Sequence, residues 1–178
     1  VKANAKEKED RWSERLGELT PAQAKQPVVI AIWDGGLDPS VFGDKVWRNP
    51  REQANGKDDD GNGFVDDVHG IAFTPDWTPS TGDLRPMPKE DTADLASLLK
   101  LVKGSLDQQA AVDSPEAAAL RQRLSTLKPA EVMPFMLQSA RIGLFLHGTA
   151  TGWTSSVGNP AARLLNTRFD YEIAAVPK

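Results

Sequence analysis

One short apolar run constrains the fold of this chain more than any other feature. Val28 to Trp33 follow Pro27 as an unbroken, mostly β-branched run, and Asp34-Gly35-Gly36 ends it abruptly. Such a run is typical of a strand that is buried on both faces, as the strands of parallel sheets are. The sequence therefore predicts an α/β fold built around a parallel sheet.

Most of the other regular structure is predicted to be helical. The helical patterns come between stretches rich in proline, glycine and charge, which predict loops. A second strand is predicted at residues 163–169. We expect a helix and lead-in at 1–26, one domain at 27–178 and a helical insertion at about 90–140. The helical segments are residues 3–19, 91–112, 114–127 and 130–157.

Composition excludes several classes of protein. The net charge of −4 and the lack of a long basic run make nucleic acid an unlikely partner. The chain has no cysteine, which excludes disulfides, thiol nucleophiles and thiolate metal sites. No stretch reaches the roughly 18 apolar residues that span a bilayer.

The first residues lack a signal peptide and an initiator methionine, so we expect a fragment or processed form. The five dispersed tryptophans predict core packing rather than a stacking platform.

Two ionisable residues stand where catalytic groups are expected. Asp34 lies at the carboxyl end of the predicted strand, where open α/β sheets place catalytic groups. His147 lies in the apolar and small-residue segment GLFLHGTATGW. Each has a structural alternative, a tight turn for Asp34 and a buried structural histidine for His147. As a pair, they match an imidazole base whose tautomer is fixed by a buried carboxylate.

The segments around both residues resemble the subtilisin-like serine proteases, or subtilases. The similar blocks are VVIAIWDGGLD, NGKDDDGNGFVDDVHGIAF and HGTATGWTSSVGNPAARLL. They cover roughly residues 27–74 and 145–169, in the family's order of aspartate before histidine. The resemblance implies a three-layer sandwich with a parallel sheet, of which only the N-terminal part is present. It also implies Asp34 as the triad aspartate, His147 as the general base and a nucleophilic serine outside this chain.

The resemblance has three departures. The family usually has threonine or serine where Gly35 stands, and histidine then valine where Ala150 and Thr151 stand. The 113 positions between the aspartate and the histidine exceed the spacing of compact members, so the helical segment at about 90–140 is interpreted as an insertion. That insertion could be a lid, a platform for a partner or simple elaboration. Ser155 and Ser156 follow His147 on its own predicted helix and are poor nucleophile candidates.

An acidic loop is a second candidate site. Residues 49–63 are acidic and turn-forming, and Asp58, Asp60 and Asn62 alternate before Gly63, as in the first half of an EF-hand calcium loop. The expected ion is a structural calcium, and the alternative is a solvated turn rich in Asp-Gly and Asn-Gly. His69 beside the loop is a weak signal for zinc. The predicted calcium ligands are Asp58, Asp60, Asn62, the backbone carbonyl of Phe64, and Asp66.

The leading functional hypothesis is a secreted or cell-envelope serine endopeptidase of subtilisin type. Its substrate is a polypeptide, and this chain alone is expected to be inactive. The serine would come from the C-terminal remainder of the same domain or from a companion chain. The alternatives are an inactive protein that keeps the fold for binding, and an autonomous helical and calcium-loop module. The last is disfavoured because two parallel strands need neighbours.

Overall fold

A computed structural model describes residues 17–85 and 87–171, which form two compact units. The sheet unit consists of residues 17–85 and 144–171, and the helical unit of residues 87–143. Most of the helix predicted at 3–19 lies outside the described residues, and residues 17–19 have no regular structure. Within the described ranges, no helix is long and apolar enough to cross a membrane.

Four strands build the sheet unit: β1 (Val28–Asp34), β2 (Gly70–Phe73), β3 (Pro79–Ser80) and β4 (Ala162–Phe169). They lie in the order β1-β4-β2-β3. β1 and β2 pair parallel with β4, and β3 pairs antiparallel with β2 at one edge. The two predicted strands and the mostly parallel sheet are thus confirmed.

The core of the sheet unit lies against one face of the sheet. Alternate residues of β4, from Ala162 to Arg168, are buried, while those between them are half-buried. Ile32 of β1 and Leu164 of β4 pack with three side chains of the loop that follows β1. That loop contains two short 3₁₀ turns, Pro39–Val41 and Gly43–Lys45. The core members are Ile32, Leu37, Phe42, Val46 and Leu164.

The described chain also contains four helices: α1 (Lys89–Thr92), α2 (Leu95–Gln109), α3 (Pro115–Thr126) and α4 (Pro129–Ser156). They confirm the helical stretches predicted at 91–112, 114–127 and 130–157 to within a few residues. Ser114 caps α3 by accepting a hydrogen bond from the amide of Ala117, and Pro115 occupies the first turn, where it needs no partner. α4 contributes residues 129–143 to the helical unit and residues 144–156 to the sheet unit.

Close packing and one buried ion pair hold the helical unit together. Gly104 on α2 faces α3 so closely that a Cβ atom would lie 2.3 Å from the carbonyl oxygen of Glu116. Asp91 is fully buried and accepts hydrogen bonds from Nε and an Nη of Arg141 at 2.6 and 2.8 Å. These hydrogen bonds, with the charge of Arg141, lower the pKa of Asp91 although burial opposes the shift. The carboxylate is therefore stabilised in its charged form.

The prediction that the tryptophans pack in the core is wrong for three of them. Trp33 and Trp77 are 68 and 59% exposed, and Trp153 is also exposed. Trp33 lies on the face of β1 opposite Ile32, because successive side chains of a strand point to opposite faces. Its ring meets that of Trp77 edge to face, with centroids 6.5 Å apart. The core of the sheet unit thus covers only one face of β1.

Candidate functional site

Asp34 is the last residue of β1 and leads directly into a glycine turn. Its Oδ1 accepts a hydrogen bond of 2.7 Å from the amide of Gly35, and its side chain is only 12% exposed. Gly36 adopts a φ of +102°, and a Cβ atom there would lie 2.3 Å from the carbonyl oxygen of Asp83. Glycine is therefore required at this position on both conformational and steric grounds.

α4 brings His147 against this turn. A Cβ atom on Gly148 would lie 2.2 Å from the carbonyl oxygen of Gly36 and 3.1 Å from Cβ of Asp34. One residue further, the hydroxyl of Thr149 accepts a hydrogen bond from the amide of Asp38 at 3.0 Å. Gly148 thus permits the close approach of α4 to the carboxyl end of β1, and Thr149 binds the loop after β1 to α4.

Asp34 and His147 form a hydrogen-bonded pair. The Oδ2 atom of Asp34 lies 2.6 Å from Nδ1 of His147, and the hydroxyl of Thr151 lies 3.5 Å from the same nitrogen. The structure thus brings together the two residues predicted from sequence. The ring is 65% exposed, which contradicts the structural alternative of a buried histidine. The paired carboxylate favours the tautomer with its proton on Nδ1, which leaves Nε2 as a base.

The side-chain oxygens nearest along α4 do not approach Nε2. The hydroxyls of Ser155 and Ser156 donate to the carbonyl of Gly152 at 3.1 and 2.8 Å, and Thr154 donates to the carbonyl of Ala150. Across residues 17–85 and 87–171, the hydrogen bonds of the His147 ring go to Nδ1. An exposed imidazole nitrogen with no partner in the described chain can take a proton from a group supplied by another polypeptide segment.

Gly35, the first departure from the subtilase pattern, has a steric explanation. A Cβ atom there would lie 3.0 Å from the hydroxyl oxygen of Tyr171 and 3.2 Å from the carbonyl oxygen of Leu144. Burial raises the pKa of Tyr171, and the negative charges of Asp34 and Asp170 add to the shift. The tyrosine hydroxyl therefore stays protonated beside the aspartate. It fills space that a larger residue at position 35 would need.

The acidic loop brings only some of its predicted ligands together. Oxygen atoms of Asp58, Asp60 and Glu52 lie within 4.8 Å of one another, and Asp66 lies outside this group. The carboxylate of Asp66 instead accepts two backbone amides, those of residues 55 and 56. The side-chain oxygen of Asn62 accepts the amide of Phe64. The sequence reasoning missed Glu52, which lies six residues before the acidic run.

Two opposed pKa shifts describe the electrostatics of this acidic group. The amide of Gly63, with two further backbone amides, lowers the pKa of Asp58 although partial desolvation opposes the shift. Burial raises the pKa of Glu52, and the charges of Asp59 and Asp67 reinforce the increase although two backbone hydrogen bonds oppose it. Arg51 approaches Asp60 at 3.3 Å from an exposed position. Three carboxylates therefore converge in this group, and that of Glu52 is poorly solvated.

His69 does not join the acidic group. Its Nδ1 lies 2.9 Å from a carboxylate oxygen of Asp83, whose backbone carbonyl accepts a hydrogen bond from the side-chain amide of Asn166. Its Nε2 is buried and has no hydrogen-bond partner among the described residues. The pairing with Asp83, fourteen residues further on, gave no recognisable signal in the sequence. Among the described residues, His69 belongs to no group of three side chains that could hold a metal ion, which argues against the weak zinc interpretation.

Comparison with known proteins finds no protein-family model, no curated protein and no solved structure that matches this chain. Functional interpretation therefore rests on the residues and the geometry of the sheet unit.

Proposed function

We propose that this chain supplies the aspartate and the histidine of a serine endopeptidase of subtilisin type, whose serine lies outside it. The observation that carries the proposal is the 2.6 Å contact between Asp34 Oδ2 and His147 Nδ1. The carboxylate is largely buried and the imidazole is open on its other side. This is the arrangement that a general base needs, because the carboxylate orients the ring and the free nitrogen meets the nucleophile.

In the proposed reaction, Nε2 of His147 takes the proton of the serine hydroxyl as its oxygen attacks the scissile carbonyl. The imidazolium then gives that proton to the leaving amine, and a water molecule repeats the cycle to hydrolyse the acyl-enzyme. Asp34 remains ionised throughout and stabilises the charged ring. The hydrogen bond from Gly35 and the approach of Gly148 keep the carboxylate in place for this role.

The proposal can be tested by measuring how fast the complete protein hydrolyses a polypeptide such as casein. Replacing His147 by alanine should lower kcat by a factor on the order of 10⁴ or more, because the general base is lost. Asp34→Asn should lower it by a factor on the order of 10⁴ with little effect on folding. His69→Gln is the control, since that histidine pairs with Asp83 and does not touch the dyad.

Hydrolysis that survives in His147→Ala would refute the assignment. Hydrolysis absent from the unmodified complete protein would favour the alternative, an inactive protein of the same architecture that binds partners. The proposed setting is secreted or envelope-associated, where an endopeptidase meets polypeptide substrates.

We also propose that the acidic loop binds a calcium ion with a structural role. Calcium prefers six to eight hard oxygen ligands, and three carboxylates already converge here in Glu52, Asp58 and Asp60. A divalent cation would offset the negative charges of these three converging carboxylates. The ion would stabilise the loop after β1 and would take no part in the chemistry at Asp34 and His147.

A further inference from the structure

A third polar side chain adjoins the pair of Asp34 and His147. Oγ1 of Thr151 lies 3.5 Å from Nδ1 of His147, the nitrogen that also faces Asp34 at 2.6 Å. The ring is 65% exposed, and among the described residues these two oxygens are the hydrogen-bond partners of its nitrogens. Asp34 and Thr151 are therefore the two groups that hold this ring through hydrogen bonds.

The geometry of α4 places Thr151 for this contact. Thr151 follows His147 by four positions, and side chains four positions apart lie on one face of a helix. Each Cα–Cβ bond of a helix tilts towards the amino end, so the side chain of Thr151 leans back over the preceding turn. The contact with the imidazole therefore follows from the spacing of the two residues on a regular helix.

Two later hydroxyls of α4 are used differently. Thr154 donates to the carbonyl of Ala150 at 3.0 Å, and Ser156 donates to that of Gly152 at 2.8 Å. Such bonds to the helix backbone are common for hydroxyl side chains inside helices. In the described chain, the hydroxyl of Thr151 makes its contact with the imidazole ring instead. This hydroxyl is therefore directed to the ring rather than to its own helix.

The carboxylate decides which atom donates in this contact. Asp34 accepts the proton of Nδ1 at 2.6 Å, so that nitrogen has no lone pair with which to accept from the hydroxyl. Oγ1 of Thr151 then accepts a share of the same N–H, as the longer arm of a three-centre hydrogen bond. A rotation of the ring that moves Nδ1 away loses both acceptors. The hydroxyl thus favours the orientation that leaves Nε2 as the base.

We infer that Thr151 is a positioning residue, whose hydroxyl holds the imidazole of His147 with Nδ1 towards Asp34. The inference rests on the proposed function, in which Nε2 is the base. Oγ1 contributes most when the ring is charged, because an imidazolium N–H binds an acceptor oxygen more strongly than a neutral one does. Its effect therefore falls on the proton transfer rather than on substrate binding. The subtilases that this chain resembles usually have valine here, so the hydroxyl is a feature of this chain.

Substitutions at two threonines of α4 test the role of this hydroxyl in the complete protein. Thr151→Val removes the hydroxyl and keeps the shape of the side chain, whereas Thr151→Ser keeps the hydroxyl. Thr154→Val is the matched control, since it makes the same change on the same helix to a hydroxyl that binds the backbone. The ¹H spectrum gives the rate at which the Nδ1 proton of His147 exchanges with water. Hydrolysis of a polypeptide substrate gives kcat and KM.

We expect the Nδ1 proton to exchange roughly fivefold faster in Thr151→Val, which is the effect of losing one net side-chain hydrogen bond. The kcat of this variant should fall by a similar factor with KM unchanged. Thr151→Ser and Thr154→Val should match the wild type in both measurements. Wild-type exchange in Thr151→Val would overturn the inference. Equal acceleration in Thr154→Val or in Thr151→Ser would also overturn it, because the effect would then come from the helix or from the methyl group.

The exchange measurement separates this inference from the proposed function, since it needs no catalytic activity. Faster exchange in Thr151→Val, in a complete protein that hydrolyses no polypeptide, supports the contact with the ring and counts against the proposed function. Hydrolysis that requires His147, with unchanged exchange in Thr151→Val, supports the proposed function and refutes the inference. Faster exchange in an active protein whose kcat does not change would refute the positioning role.

Discussion

Alanine substitution at two glycines of α4, Gly148 and Gly143, should change the free energy of unfolding in opposite directions. A Cβ atom on Gly148 would lie 2.2 Å from the carbonyl oxygen of Gly36, and real Cβ atoms essentially never approach below 3.0 Å. The helix must therefore retreat by at least 0.8 Å, the difference between these two distances. At Gly143 a Cβ atom would meet nothing within 4 Å. Alanine at that position only improves the intrinsic helix propensity.

The magnitudes follow from these distances. Overpacking costs about 1–3 kcal/mol, and alanine returns about 1 kcal/mol as a helix former, so Gly148→Ala should lower the free energy of unfolding by up to about 2 kcal/mol. Gly143→Ala should stabilise by roughly 0.5–1 kcal/mol. A retreat of 0.8 Å would lengthen the 2.6 Å distance between Asp34 and His147 to at most about 3.4 Å. That exceeds the roughly 3.2 Å limit of a good hydrogen bond.

Urea denaturation of both variants measures the stability, and the ¹⁵N spectrum of the His147 ring measures the tautomer. We expect the proton to stay on Nδ1 in Gly143→Ala and the two tautomers to mix in Gly148→Ala. A Gly148→Ala protein that is as stable as the wild type and keeps a single tautomer would refute the claim that this contact positions the pair.

Two other features of the chain give measurable expectations. Arg141→Ala should destabilise by about 3 kcal/mol, because it leaves the buried carboxylate of Asp91 without its cation, whereas the exposed Arg121→Ala should cost less than about 1 kcal/mol. Folding lowers the pKa of Asp91, so the ionised carboxylate contributes fully to the free energy of unfolding above about pH 4. This contribution disappears as the pH falls through the pKa of the folded state. The destabilisation caused by Arg141→Ala should therefore become smaller in acid. If Arg141→Ala and Arg121→Ala destabilised the protein equally at pH 7, the role assigned to the Asp91–Arg141 pair would be contradicted. Calcium should raise the Tm relative to a chelator, and Asp58→Asn should abolish the difference while the exposed Asp76→Asn keeps it. An unchanged Tm would exclude the calcium proposal.

Local sequence signals were sufficient for most of the regular structure. The β-branched run of β1 and the apolar periodicity of the helices reflect preferences that each segment carries by itself. The Ser114-Pro115 start of α3 is likewise a local signal, and the Ser114 side chain caps the helix. The pairing of Asp34 with His147 was predicted from the need of an imidazole base for a carboxylate and from the resemblance of the similar blocks, and the structure brings the two side chains together.

Contacts between distant segments could not be predicted in this way. The approach of Glu52 to Asp58, and of Asp83 to His69, depends on how loops fold back rather than on residue spacing. The exposure of Trp33 was missed because composition predicts burial for tryptophan but does not say which face of a strand is covered. The structural alternative of a buried His147 was suggested by its apolar neighbours in sequence, but these do not say on which side of α4 the ring lies.

The measurement that tests the central proposal most directly is the reaction of the complete protein with a fluorophosphonate, followed by peptide mapping. We expect modification of a single serine outside residues 1–178, at a rate that falls sharply in the His147→Ala variant and not in His69→Gln. No modified serine, or modification that is as fast without His147 as with it, would contradict the proposal that Asp34 and His147 activate a nucleophile.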